Sequence, residues 1–510
     1  MYPTLSQHQS LCPPAIQLDD SPLPLGEGPG VRALDKHLWY NSNMFLLVFL
    51  ILLNLFKVAA APYFPLIGDE AYYWLWSQHL DLSYIAHPPM VAYVNFILTA
   101  LFGQNELAIR LGVILILLLI SGIIYLAGKE LYGPAAAGTA VVVFNLLPTF
   151  WGGGMFLVPQ TVLFLFWALS FYLLALIIKR QKPHYWYFLG ISAGLGLLSD
   201  YVMGLFFIGT VLFFLLVREQ RFWFARKEPY LAVLLSLIVF SPVIIWNLRL
   251  GFAPFLYWGG KMGSDIRIAD NLLNFFGLQM LLYTPPIFLM TIYLVLRRGW
   301  QSFRTQDQDG LLFAIMSAVV FLPFAVISPI LNVGGHWPAT AYLPAILSTD
   351  RARKRTLSLI IFFALLVNIL GFTYYIFLYP TPPELKGKEF TINQQLPQFI
   401  KDTTPIKGRT FYIANDIGTI GLVSFHGRVR VYSPPGRIRQ MDMWGAPDIK
   451  KGDNVIYFTR ENAPELHKKL RPLFSRVWID PEKRIFSKDA DIPTRMQIFH
   501  CRGFRGGQLP

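Results

Sequence analysis

Residues 44–74 read MFLLVFLILLNLFKVAAAPYFPLIGDEAYYW, an apolar run that ends in two adjacent carboxylates and a group of aromatics. At about 1.5 Å per residue, the stretch from Met44 to about Pro62 is long enough to cross a hydrocarbon core of ~30 Å. This run decides for a membrane protein, and the rest of the chain agrees. Its 510 residues are 54% apolar and only 15% charged, with a mean hydropathy of +0.45. Ordinary soluble domains are about 45–50% apolar and about 25% charged. A single-domain soluble enzyme is excluded.

Further runs of spanning length lie near 106–127, 134–151, 157–178, 229–246, 271–296, 311–329 and 356–378. The stretch Trp186–Val217 is too long for one span, and Ser199-Asp200 in its middle would be costly in hydrocarbon, so it predicts two short helices meeting at a polar outer tip. Trp337–Ser348 is short but is followed by Arg351-Ala-Arg-Lys-Arg355, and counting it brings the expected spans to eleven.

Charge orients them. If the first span runs outward, Lys129, Lys179-Arg180, the 218–227 cluster, Arg297-Arg298 with Arg304, and the 351–355 cluster all face the cytoplasm. That is the one-sided arrangement the positive-inside rule requires. The loops at 63–105, 152–156, 247–270 and 330–336 then face outward, and an odd number of spans places the C-terminal part outside as well.

Residues 1–43 hold no long apolar run and include the Pro/Gly-rich stretch Ser21–Gly30; they read as a disordered extension, or as an extended start upstream of a true initiator at Met44, and not as a secretory signal. From about Thr381 the composition changes. Strand-like runs at Thr410–Ala414, Asn454–Thr459, Arg476–Ile479 and Met496–Cys501 and a helical stretch at Ala463–Leu470 predict a small soluble α/β domain over 381–510. The expected fold is therefore a polytopic α-helical membrane protein with a transmembrane domain over 44–380, a long first outer loop and a small extracytoplasmic α/β domain. Lys and Arg outnumber Asp and Glu in that domain, so much of the net charge of +14 lies where the positive-inside rule does not explain it. In a membrane protein this surplus argues for anionic lipid and against nucleic acid. Cys12 and Cys501 fall on opposite sides of the predicted topology, which leaves neither a disulfide framework nor a cysteine metal site.

The first outer loop carries Gly68-Asp69-Glu70-Ala71-Tyr72-Tyr73-Trp74, then Asp81, Tyr84 and His87-Pro88-Pro89. Adjacent carboxylates at the outer end of a span suit an acid/base group at the membrane surface, and they equally suit the cap of an interfacial helix. Other costly polar residues fall on the same side. Arg110 lies about one turn into the second span, where it can serve a site, snorkel, or pair with Glu106 at i and i+4. Asp200-Tyr201 forms the tip of the fifth and sixth spans, Trp246-Asn247 ends the seventh, and His336-Trp337-Pro338 opens the tenth. Each alone is ordinary; their gathering on the face of the acidic loop points to one extracytoplasmic site.

These residues together resemble the GT-C class of integral-membrane glycosyltransferases, in particular the bacterial family 39-like group related to protein O-mannosyltransferases and lipid A aminoarabinose transferase. The marks are Gly68–Trp74, Tyr84 with His87-Pro88-Pro89, Glu106 with Arg110, Ser241–Asn247 followed by Gly251-Phe252, and His336–Tyr342, in that order and on one side. The resemblance implies transfer of a sugar from a polyprenyl-phosphate donor to a lipid, protein or polysaccharide acceptor at the outer face of a bacterial cytoplasmic membrane. It maps the essential carboxylate to Asp69, with Glu70 beside it, and places His87 near the donor phosphate. Tyr72, Tyr84, Arg110, Asp200, Tyr201 and His336 complete the expected substrate-binding set, with Arg110, His87 and His336 offsetting phosphate charge.

Two positions depart from the group. Val158-Pro159-Gln160 stands where relatives often read Thr-Pro-Asp, and Ser199-Asp200-Tyr201 where they often read Ser-Lys-Tyr. Asp200 in place of a lysine would repel donor phosphate, unless it binds a cation or pairs with Arg110. Carboxylates and histidines leave room for a divalent cation, although no spacing specifies one and no cofactor is certain. The rival readings are a lipid or glycolipid transporter, which needs ionisable groups near the bilayer midplane, and a non-catalytic glycolipid-binding relative.

Overall fold

The computed structural model describes residues 29–61, 66–261, 267–349, 354–373, 389–403, 408–436, 439–459, 463–479, 484–487 and 494–510. The chain divides into a short N-terminal unit, Met1–Leu47, and a main unit, Val48–Pro510, which carries everything discussed below. The expected extension up to residue 28, the basic residues 351–353 and the junction near residue 380 lie outside the described residues.

After α1 (Pro29–Ala60) the first loop forms α2 (Gly68–Ser77) and α3 (Met90–Phe102). Then follow α4 (Glu106–Tyr132), capped by the Asn105 side chain accepting from the Ala108 N–H at 2.9 Å, α5 (Pro134–Leu146) and the single turn α6 (Pro148–Trp151). Next come α7 (Pro159–Arg180), α8 (His184–Ser199), α9 (Gly204–Leu216), α10 (Glu228–Arg249) and α11 (Ala253–Lys261). The membrane part closes with α12 (Ile268–Tyr283), α13 (Pro285–Tyr293), α14 (Gly299–Thr305), α15 (Gln308–Ile327), α16 (Leu343–Leu347) and α17 (Lys354–Thr373).

Five of these helices, α4, α7, α10, α15 and α17, are long and apolar enough to cross a membrane, and seven spans result if each of two sharply bent helix pairs counts as one. The sequence count of eleven exceeds this because several apolar runs are interrupted. Pro148 stops α5 at Leu146, and Thr284 at φ 65° followed by Pro285-Pro286 bends the 268–305 segment by 108°. Proline removes a helical N–H and clashes with the preceding turn, so an unbroken apolar sequence need not be one helix. The expected tenth span is shorter still: a 3₁₀ turn at Ala339–Tyr342 and α16, all buried, which alone cannot reach across ~30 Å.

Packing agrees with a lipid surround. Within α8, Gly190 and Gly194 lie against the backbones of Ala232 and Ser236 of α10, so close that an added Cβ would meet main-chain atoms within 3.0 Å. Small residues four apart permit this approach where no hydrophobic effect drives helices together. By contrast α17 buries only 11% of its apolar window, and Phe362, Ile369 and Leu370 stand exposed, as a lipid-facing helix requires.

The C-terminal part is a mixed seven-stranded sheet with helices on both faces. Its elements are β1 (Glu389–Thr391), α18 (Ile392–Thr403), β2 (Thr410–Ala414), α19 (Ile417–Gly427), β3 (Val431–Tyr432), α20 (Arg439–Met443), β4 (Asn454–Thr459), α21 (Ala463–Leu470), β5 (Phe474–Ile479), β6 (Arg484–Ser487) and β7 (Thr494–Phe504). The order is β1-β6-β7-β4-β2-β3, with β5 pairing β7 beyond β6. Parallel pairing of β2 with β3 and β4 requires crossover helices, and α19 is one of them. The α/β expectation is met, β2, β4 and α21 falling on the predicted residues. Cys501 is buried in the core with Val455, Tyr457, Phe474 and Phe499, as a free thiol.

Candidate active site

The long first loop is built on α2, whose first turn carries Asp69 and Glu70. Their side chains part company. Glu70 is buried, its Oε1 accepting from Arg110 Nη1 at 2.5 Å and from the Leu157 N–H at 2.8 Å, its Oε2 from the Ile67 N–H at 3.3 Å. Arg110, equally buried, also donates to the Met155 carbonyl and lies over the Phe156 ring at 5.4 Å. Arg110 therefore hydrogen-bonds Glu70, while Glu106, within the field of Arg110, accepts from the Leu66 N–H at 3.3 Å. One helical step along, Asp69 is exposed.

Asp69 looks onto a set of aromatic and titratable groups. Burial above all holds the Tyr72 and Tyr73 hydroxyls above the ordinary phenol range, and the charge of Asp69 adds to it, next after burial for Tyr73. Tyr73 also feels Asp200, and its ring lies edge-on to His87 at 6.0 Å. Asp200, buried at the tip of α8, accepts from the Val202 N–H at 2.9 Å, from Gln160 Nε2 at 3.1 Å, and faces His87 Nδ1 at 3.3 Å. Of the two partners considered for Asp200, a cation or Arg110, neither is the one seen, which is His87 with Gln160. The two residues that depart from the relatives' pattern touch each other.

His336 completes the group. Its ring is exposed, yet burial of its surroundings and the nearby His87 push its pKa down to about 4, with Asp200 opposing. The loop that carries it is held from behind by Gln279, which donates to the Gly335 carbonyl at 3.2 Å and accepts from Tyr342 Oη at 2.9 Å, while Tyr342 stacks on Tyr283 at 3.7 Å.

Other expected residues support the loop from inside. Tyr84 is fully buried, stacked on Trp76 at 4.2 Å and donating towards the Trp76 and His79 carbonyls at 3.0 Å. Such a stack contributes about 0.5–1.5 kcal/mol beyond its area. Asp81 accepts from Trp246 Nε1 at 3.0 Å, tying the loop to the end of α10. Tyr201 lies beside Ser83 and Asn247. Sequence reasoning passed over three residues here. Tyr73 feels both Asp69 and Asp200, Tyr257 of α11 adds to the upward shift of the Tyr72 and Tyr73 hydroxyls, and buried Lys57 donates to the Phe150 carbonyl at 3.1 Å. A lysine in an apolar run is the one signal that was visible for Lys57.

The C-terminal domain holds α2 from the other side. Gly418 and Gly421 of α19 meet the backbone of Gly68, Ala71 and Tyr72, a Cβ on Gly421 falling 2.5 Å from the Tyr72 nitrogen. Phe425 packs edge-on to Trp74 at 4.9 Å, Gln440 accepts from the Ile85 N–H at 2.9 Å, and Trp444 stacks on His79 at 4.6 Å. Among the described residues no group of three or more His, Cys, Asp or Glu is placed to hold a metal ion.

A broken-helix membrane bundle, an acidic first-loop helix and a sheet domain seated on that loop make up a fold shared with solved membrane-protein structures. The structures it is similar to include ArnT from Cupriavidus metallidurans bound to undecaprenyl phosphate (TM-score 0.64, 15% identity, 89% of this chain and 97% of that one) and the same protein in the apo state (0.65, 14%, 90% and 98%). In sequence, residues 86–246 match the family described as dolichyl-phosphate-mannose-protein mannosyltransferase, a segment that takes in His87, Arg110, Gln160 and Asp200 but begins after Asp69. The chain is 28% identical over 284 residues to the lipid A galacturonosyltransferase RgtD of Rhizobium johnstonii, covering 54% of this chain and 58% of that protein. It is also 28% identical over 186 residues to the undecaprenyl phosphate-alpha-4-amino-4-deoxy-L-arabinose arabinosyl transferase of Erwinia tasmaniensis, covering 36% and 32%. The chain thus spans between about a third and somewhat over half of these curated relatives. It is a multi-pass membrane protein related to bacterial transferases.

Proposed function

We propose that this protein is a membrane glycosyltransferase of the family 39-like group that takes a sugar from a polyprenyl-phosphate donor and transfers it, with inversion, to a lipid, protein or polysaccharide acceptor at the outer face of the bacterial cytoplasmic membrane. The observation that carries the reading is the separation of Asp69 from Glu70. Glu70 is consumed by Arg110 and the Leu157 N–H, while Asp69 is left exposed beside Tyr73, itself in contact with His87 and within the field of Asp200. Asp69 takes the proton of the acceptor hydroxyl as its oxygen bonds to the anomeric carbon. The bond from that carbon to the phosphate oxygen breaks, and its electron pair leaves on polyprenyl phosphate. His87 and His336 donate hydrogen bonds to that phosphate, and Tyr72 and Tyr201 border the sugar. Glu70, Arg110 and Tyr84 hold the loop in place.

The reading includes about eleven membrane segments, some of them broken or too short to cross alone, with the 381–510 domain outside. A donor carried in the membrane suits a site on a loop helix above a lipid-facing bundle. Transfer from radiolabelled polyprenyl-phosphate sugars in membranes containing wild-type or Asp69→Asn protein tests it. Loss of a general base lowers the rate about 10²–10⁴-fold; equal transfer at matched expression removes Asp69 from the role.

A further inference from the structure

The C-terminal domain has a cationic surface that the site does not use. Residues 381–510 contain 22 Lys and Arg against 13 Asp and Glu. Several of these cations are engaged: Arg409 faces Asp453 at 3.9 Å, Arg430 donates to the Trp444 carbonyl at 2.6 Å, and Lys469 pairs with Glu465 at 3.0 Å. Arg476 and Arg502 differ. They sit directly opposite each other on β5 and β7, both exposed, with their guanidinium carbons 5.2 and 5.3 Å from the ring of one residue, Trp478. Among the described residues neither has a carboxylate within ion-pair distance. Trp478 in turn stacks on His500 at 5.1 Å. Like charges opposed across a ladder repel, and an anion between them removes that cost.

Strand parity says which way the pair looks. Val477, Ile479, Phe499 and Cys501 point to the core under Leu466 and Leu470 of α21. Arg476, Trp478, His500 and Arg502 alternate with them and occupy the opposite face. On that face Phe399 of α18 meets His500 at 6.3 Å, and α19 lies against β2 and rests on α2 of the first outer loop. The two arginines therefore belong to the face turned towards the membrane loops, and α21 with Lys468 and Lys469 to the face turned away.

We propose that Arg476, Trp478 and Arg502 form a docking site for the phosphate of an anionic lipid headgroup in the outer leaflet. Two guanidiniums no more than about 10.5 Å apart can bracket one phosphodiester with charge-assisted hydrogen bonds. The indole keeps both planes oriented and offers its apolar edge to the interface, where tryptophan is favoured.

Hydrogen exchange of the full-length protein in lipid nanodiscs tests this. In phosphatidylcholine containing phosphatidylglycerol, segments 474–479 and 499–504 should exchange about tenfold more slowly than in phosphatidylcholine alone. Arg476→Gln/Arg502→Gln should abolish the difference, and Lys468→Gln/Lys469→Gln, which removes the same charge from the other face, should retain it. If the double glutamine variant loosens the sheet, seen as faster exchange at 454–459, the single Arg502→Gln variant is read in the same way. The proposal is overturned if wild-type protein shows no lipid-dependent difference, if the arginine variants keep it, if the lysine variant loses it, or if free inorganic phosphate over phosphatidylcholine reproduces it.

Discussion

Arg110 Nη1 and Glu70 Oε1 lie 2.5 Å apart with neither side chain exposed, joining a span to the helix that carries the neighbouring Asp69. The same carboxylate oxygen accepts from the Leu157 N–H, so one ion pair fixes α4, α2 and the start of α7 together. A pair so placed holds geometry, because each buried charge is compensated by the other.

Breaking that pair from either side should therefore unfold before it inactivates. Glu70→Ala or Arg110→Ala leaves a buried uncompensated charge, which costs about 3–5 kcal/mol. Thermal unfolding in detergent should show each single variant strongly destabilised and Glu70→Gln/Arg110→Met less so than the sum of its singles. Near-native stability in both single variants would mean that the pair is dispensable.

Gln160 and Asp200 should behave as a unit. Gln160→Asp alone puts a second carboxylate where an amide now donates at 3.1 Å, and like charges about 4 Å apart at an effective dielectric of ~20 cost up to about 4 kcal/mol. Adding Asp200→Lys converts the repulsion into an ion pair and should restore stability, measured by the same melts. A double variant no better than Gln160→Asp would contradict the contact.

The seat of α19 on α2 has no room for a side chain at residue 421. Gly421→Leu should push the two helices apart at a cost of about 1–3 kcal/mol or more, expose the 417–427 segment to limited proteolysis, and lower transfer. Gly371→Leu, a helix position with nothing within 4 Å of an added Cβ, should leave cleavage and transfer unchanged and serves as the control.

Acid should loosen the same seat. Burial, with Arg428 adding to it, lowers the His426 pKa from 6.5 to about 3. Between those values the unfolded chain binds a proton that the folded chain does not, so stability rises with pH across this window and falls on acidification. Protease susceptibility of the C-terminal domain should increase from pH 6.5 downward in wild-type protein and more shallowly in His426→Gln. Parallel profiles would assign the effect elsewhere.

How much of this was legible follows from the kind of signal each residue leaves. Hydrophobic length and period mark the membrane segments and the strands of the outer domain, and β2, β4 and α21 fall on the expected residues because local pattern suffices there. Span continuity was less legible, since Pro148 and Pro285-Pro286 act through a clash with a particular turn. Asp69 and Glu70 are neighbours with the same chemistry, and nothing along the chain says which of them turns inward. Arg110 had Glu106 at helical spacing as its obvious partner, yet it faces a carboxylate 40 residues earlier.

By itself the sequence determined that the protein lies in a membrane, which way its basic loops argue for its orientation, and where its C-terminal domain begins to form sheet, because apolar length and charge are properties of segments. Only the tertiary structure decided that Glu70 is buried against Arg110 while Asp69 is exposed, that Gln160, Asp200 and His87 form one contact, and that α19 clamps the loop beneath it. Those outcomes depend on which groups meet across the fold after desolvation, and a buried ion pair or a glycine seat exists only once two distant segments have come together.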